Sequence, residues 1–165
     1  MIKLNIDLEK AKEEFLKYTG RFNLEDENIK RKQLHSLRVM EISKDIATKL
    51  GLSQEKIELA TLIGLLHDIG RFKQYSEIGL GDNIEGFDHG DYGAYILEKN
   101  IRKYINYSKY DDIIIKAVKN HNKFTIEEKL TEQEMLFAKI IRDSDKIDIL
   151  YESVYIFNNG KEDQV

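Results

Sequence analysis

Across its 165 residues the chain contains no proline. Proline is the residue that most firmly ends or kinks a helix, so only glycine and local turn chemistry remain to interrupt long helical segments. The apolar spacing agrees. A first amphipathic segment, about Asp7 to Tyr18, places Leu8, Ala11, Phe15 and Leu16 on one side. A second, about Glu27 to Leu50, carries Leu34, Leu37, Met40, Ile46 and Ala47, with Gly51 positioned to close it. Ser53 reads as the N-cap of a third, about Gln54 to Ile69, which is apolar nearly all round and so belongs at the centre of the fold.

From Arg71 to Phe87 the periodicity fails and Gly79, Gly81 and Gly86 accumulate, which predicts a loop over a site. Helical pattern returns at about Gly90 to Ile105, at Asp112 to His121 and from Glu132 to about Phe157, the last opened by the capping-box sequence Thr131-Glu132-Gln133-Glu134. The length suits one domain, residues 1–165, in an all-α bundle.

Composition narrows the function. With 41% hydrophobic and 34% charged residues the chain is globular, no apolar run approaches the ~20 residues of a membrane span, and the N-terminal segment is too charged for a signal peptide. The cytoplasm is the expected location. A net charge of -4 with scattered Lys and Arg lacks the footprint of a duplex-binding protein. The absence of cysteine excludes disulfides and thiolate ligands, so any metal must be held by imidazole and carboxylate.

Four histidines meet that requirement: His35 in LHSLRV, His67 in LLHDIG, His89 in FDHGDYGA and His121 in KNHNKF. One such histidine is usually a core residue satisfied by a hydrogen bond. Four, each on an apolar face or at a helix end, are harder to explain that way. Asp68 ends a helix too apolar to tolerate an ionised carboxylate without a cation. Asp145, in IIRDSDKIDIL, repeats the argument, with Asp143 expected to face solvent and Asp148 to support the site from behind. His35, His67, His89, His121 and Asp145 are each about one helix and one connection apart, the spacing with which a bundle brings one inward ligand from each helix to a common level. With Asp68 able to bridge, six ligands suit two divalent ions.

His35, then His67-Asp68, then Asp145 resembles the H…HD…D signature of the HD superfamily of metal-dependent phosphohydrolases, and the phrase HSLRVMEISKDIATKLGLSQEKIELATLIGLLHDIGRF resembles its N-terminal half; the likeness spans about Leu34 to Leu150. It implies an HD-type helical bundle in which His35, His67, Asp68 and Asp145 hold a first metal, with Asp68 bridging to a second. His89 and His121 resemble the two further histidines of the binuclear branch, which includes diadenosine polyphosphate hydrolases and cyclic-dinucleotide phosphodiesterases. The Gly-Tyr-Pro motif of the latter is missing, and Gly70-Arg71-Phe72 differs from the acidic pair of guanosine tetraphosphate hydrolases. Iron or manganese is expected ahead of zinc, magnesium or nickel.

The expected chemistry is hydrolysis of a small phosphorylated metabolite or nucleotide by metal-activated water, with Asp68 as bridging ligand and proton acceptor. Arg71 and Lys146 are the first candidates to bind phosphate, Arg38 and Lys123 the second. Tyr75, Tyr92 and Phe72 are candidate base-stacking rings, and Asp88, Asp91 and Asp148 candidate partners orienting the histidines. The ligand pattern also resembles the HD-type di-iron oxygenases, and a regulatory nucleotide-binding module with a structural metal is a third reading. A homo-oligomer is expected if the last packing element comes from another subunit.

Overall fold

The structure, a computed structural model, describes residues 5–79 and 84–156. Its elements are α1 (Leu8–Thr19), α2 (Glu27–Lys49), α3 (Gln54–Leu66), the short α4 (Arg71–Lys73), α5 (His89–Asn100), α6 (Asp111–Asn120) and α7 (Glu132–Tyr151). Wider or tighter helical turns follow α4 (Gln74–Ile78), α5 (Ile101–Lys103) and α7 (Glu152–Ile156). Among the described residues there is no strand; one antiparallel bridge, Ile84 to Phe87, closes a turn at Gly86. The architecture is the all-α bundle expected, and no helix of the described residues is long and apolar enough to cross a membrane.

Side chains fix where the helices begin. Asp26 Oδ1 accepts from the backbone N–H of Asn28 at 2.8 Å, and Ser53 Oγ from that of Lys56 at 3.4 Å. The capping box at Thr131 forms in both directions, with Glu134 N–H donating to Thr131 Oγ1 at 3.2 Å and Thr131 N–H to Glu134 Oε2 at 3.3 Å. Each such cap offsets donors that a helix start leaves unmatched, about 1 kcal/mol apiece. Gly51, at φ 70°, takes the left-handed turn just beyond α2.

The centre of the bundle is α3, as its all-round apolar sequence predicts. Leu59, Leu62, Ile63, Leu65 and Leu66 are fully buried between α1, α2, α6 and α7. Burying each contributes roughly 1.5–3 kcal/mol. α2 packs tightly on α3 at Gly64, where an added Cβ would lie 2.9 Å from Met40 Cα.

The expected loop between Arg71 and Phe87 is corrected in its first half. Residues 71–78 are helical, and Arg71, Phe72 and Gln74 are buried. Phe72 packs edge-on against Phe15, ring centroids 5.9 Å apart, and against Tyr18 at 6.3 Å. It is a core residue, not a base-stacking one. The helical stretch is too short for periodicity to show; its signal was one buried ring. Gly81 lies outside the described residues, as does Phe157.

Candidate metal centre

The ends of three helices and the middles of two place six side chains around one point. His67 ends α3 and Asp68 follows it; His89 begins α5; His121 ends α6; His35 and Asp145 project from α2 and α7. A tight packing of backbones holds these ends together. At Gly70 an added Cβ would lie 2.4 Å from the carbonyl oxygen of His89, so the turn after Asp68 lies directly on the start of α5. Asp88 Oδ1 caps that start by accepting from the Asp91 N–H at 2.9 Å. The helix therefore starts at His89, a residue earlier than its apolar pattern.

The six form two groups that share Asp68: His35, His67, Asp68 and Asp145, and Asp68, His89 and His121. In the first, His35 Nε2 lies 3.1 Å from His67 Nε2 and 3.0 Å from Asp145 Oδ1, and Asp68 Oδ2 lies 3.5 and 3.6 Å from the two rings. In the second, His89 Nε2 and His121 Nε2 are 3.2 Å apart, with Asp68 Oδ1 at 3.7 and 3.2 Å. One carboxylate thus turns one oxygen to each group. The four histidines and Asp68 are buried.

Outward hydrogen bonds decide what those nitrogens offer. His67 Nδ1–H donates to Gly64 O at 2.7 Å, His121 Nδ1–H to Val118 O at 2.6 Å, and His35 Nδ1–H to Asp148 Oδ2 at 2.6 Å. With Nδ1 carrying the proton, each neutral ring points an Nε2 lone pair inward. Two lone pairs about 3 Å apart, flanked by carboxylates, repel unless a cation lies between them. The donor set, imidazole and carboxylate without sulfur, fits a hard to borderline divalent cation.

Without a metal, a proton does that work. Burial opposes the charge on His35, but hydrogen bonds to Asp145 and Asp148 outweigh it and raise the ring to about 9. His121 is likewise raised, Asp68 prevailing over burial. His89 goes the other way: burial, with the charges of His121 and Arg71 overriding Asp68, lowers it to about 3, so it stands neutral. Asp68 is held well below the usual carboxylate range by Lys32, His67 and His121 against its own burial, and Asp145 by His35 and His67.

A cavity of about 350 Å³ opens above the centre, lined by Arg31, Lys32, Asp68, Arg71, Tyr75 and His89, with Asn122, Asp145, Ile149 and Glu152. Arg71 and Tyr75, both singled out in the sequence, are there, the guanidinium 5.5 Å from the ring centroid. Lys32 was missed. Its Nζ is 3.1 Å from Asp68 Oδ2, and it sits one turn before His35, a spacing that the sequence displays.

The other proposed cations fall elsewhere. Lys146 is exposed and outside the cavity, because its neighbour Asp145 is the residue that α7 turns inward. Lys123 bridges Asp88 at 2.6 Å and Asp91 at 2.9 Å. Arg38 pairs with Asp148 and Glu152 behind His35. Tyr92 packs with Phe87, ring centroids 5.5 Å apart, away from the cavity lining.

Of the supporting acids, Asp148 is buried on His35 as expected and Asp143 is exposed. Asp88 approaches His89 only through Asn122, whose Nδ2 donates to Asp88 Oδ1 at 3.1 Å and lies 3.5 Å from His89 Nδ1. Asp91 is exposed and pairs with Lys123 at 2.9 Å.

A helical bundle that gathers buried imidazoles and carboxylates from five elements beneath a cation-lined cavity has the form of a helical metalloprotein centre. The family model of the HD domain matches residues 34–150, well over half of the chain, and the chain belongs to that family. No curated protein and no solved structure is significantly similar to it.

Proposed function

We propose that the protein is a metal-dependent phosphohydrolase acting on a small phosphorylated metabolite or nucleotide. One observation carries the reading: Asp68 divides its two oxygens between two histidine groups directly beneath a cavity that presents Arg31, Lys32 and Arg71. His35, His67, Asp68 and Asp145 would hold one divalent cation and Asp68, His89 and His121 a second. Cations bound there supply charge that acidifies water and neutralises phosphoryl oxygens.

The chain's own groups do the rest. Lys32 keeps its proton, since Asp68 outweighs the burial that opposes it, and offers a fixed charge at the cavity wall. Arg71, buried and bonded through Nη1 to Gln74 Oε1 at 3.0 Å, presents a planar fork suited to phosphoryl oxygens. Asp68, held ionised, would serve as the ligand common to both cations. About 350 Å³ suits a small metabolite or one nucleotide rather than a macromolecule.

The three cavity cations favour an anionic substrate, and so hydrolysis over the di-iron oxygenase reading. The test is release of phosphate or alcohol from p-nitrophenyl phosphate, its bis ester and a nucleotide panel, with manganese or iron added and oxygen uptake followed in parallel. Metal-dependent hydrolysis without oxygen consumption is expected. Oxygen uptake without hydrolysis would replace the proposal with the oxygenase.

A further inference from the structure

His35, Asp148 and Glu152 form a third group of potential metal ligands behind the centre, and the guanidinium of Arg38 is seated on it. Arg38 lies one turn after His35 on α2. It donates from Nε to Asp148 Oδ1 at 2.7 Å, and from Nη2 to Asp148 Oδ2 at 2.9 Å and to Glu152 Oε1 at 2.7 Å. Asp148, 1% exposed, accepts in turn from His35 Nδ1 at 2.6 Å. The Tyr151 ring, its centroid 5.5 Å from the guanidinium carbon, backs the arrangement. Arg38 belongs to an outer groove between α2 and α7, with Leu34, Leu37, Ile147 and Tyr151, and not to the lining of the substrate cavity.

We propose that Arg38 is a positioning residue that decides which nitrogen of His35 faces the metal centre. Its fork holds the Asp148 carboxylate against Nδ1, so the ring keeps its proton there and offers Nε2 inward. The same guanidinium is the resident cation of the third group, so that Asp148 and Glu152 do not draw a divalent ion to Nδ1 on the wrong side of the ring. A fork is needed because two carboxylates are engaged at once; an ammonium point charge satisfies them less completely.

The inference rests on reading the centre as a divalent-cation site, and the experiment separates the two. Metal-stripped wild type, Arg38→Met, Arg38→Lys and Asp148→Asn are titrated with manganese by calorimetry, and the hydrogen-bonded Nδ1 proton of His35 is followed by NMR in the metal-free proteins. Circular dichroism checks that each variant is folded. Arg38→Met is expected to weaken the tightest manganese site by about 10- to 100-fold, as loss of a partner behind a ligand does. It is also expected to lose the His35 Nδ1 resonance, with Arg38→Lys between it and wild type. If Arg38→Met does not fold, Asp148→Asn, which keeps the shape and removes the charge, is expected to show the same two losses.

Wild-type affinity and an unchanged Nδ1 resonance in Arg38→Met would overturn the proposal. So would a raised KM as the only change, which would return Arg38 to substrate binding. A wild type that takes up no manganese would instead remove the reading of the centre, and the NMR comparison, which needs no metal, would still decide on Arg38.

Discussion

His35 and His89 hold opposite protonation states within one site, and this difference sets how the residues respond to pH. In the metal-free chain His35 keeps its proton up to about 9, whereas His89, lowered to about 3, is already neutral. A cation at His35 Nε2 must displace that proton. Because the metal competes with a proton bound below pH 9, apparent affinity is expected to rise about tenfold per pH unit between roughly 7 and 9 and then to flatten. Manganese titrations across that range check the sign; affinity that falls or stays level would contradict it. At the cavity wall, Lys32→Met and Arg71→Met are each expected to lower kcat/KM by about 10- to 100-fold through lost charge-assisted contacts, while Lys146→Ala leaves it within about twofold. All six side chains of the centre were legible as residue types, because burial without sulfur or a partner left a cation as their common explanation. The cations lining the cavity were only half legible. Arg71 follows the His-Asp pair and lines the cavity; Lys32 lines it too, one turn before its histidine, and Lys146 lies outside it because adjacency in sequence says nothing about helix phase.

At the scale of elements, α3 shows what patterning reveals and the 71–78 segment shows what it hides. An apolar helix of this kind is buried on every side, so its place in the middle followed directly from sequence. The residues after Gly70 carry one fully buried aromatic ring, Phe72, and no room for a period, so the helical continuation emerges only with the packing of Phe72 against Phe15 and Tyr18. Phe72→Ala is therefore expected to cost about 3–5 kcal/mol in urea unfolding. A loss under about 1 kcal/mol would return the segment to a surface loop. Gly70→Ala is a sharper probe of the same junction. Its Cβ would meet His89 O at 2.4 Å, and the backbone shift needed to relieve this should cost about 1–3 kcal/mol and weaken metal binding together.

For the whole molecule, the apolar core and the polar centre are separable. The core draws on α1, α2, α3, α5, α6 and α7 and contains none of the six ligands, and Lys32 and protonated His35 neutralise the centre when no metal is bound. Chelation is accordingly expected to leave helix content unchanged by circular dichroism and to lower the unfolding free energy by the lost binding energy, about 2.7 kcal/mol where the metal stood at 100 times its Kd, with a fall in Tm to match. Collapse of the helices on chelation would mark the metal as structural.

The most direct test of the central claim is metal content measured together with phosphoester hydrolysis, in wild type beside Asp68→Ala. Because Asp68 is the one residue shared by both ligand groups, the account predicts about two divalent ions per chain in wild type, metal-dependent turnover, and loss of both in the variant. A wild type without bound metal, or an Asp68→Ala protein that keeps its metal and its activity, would contradict it.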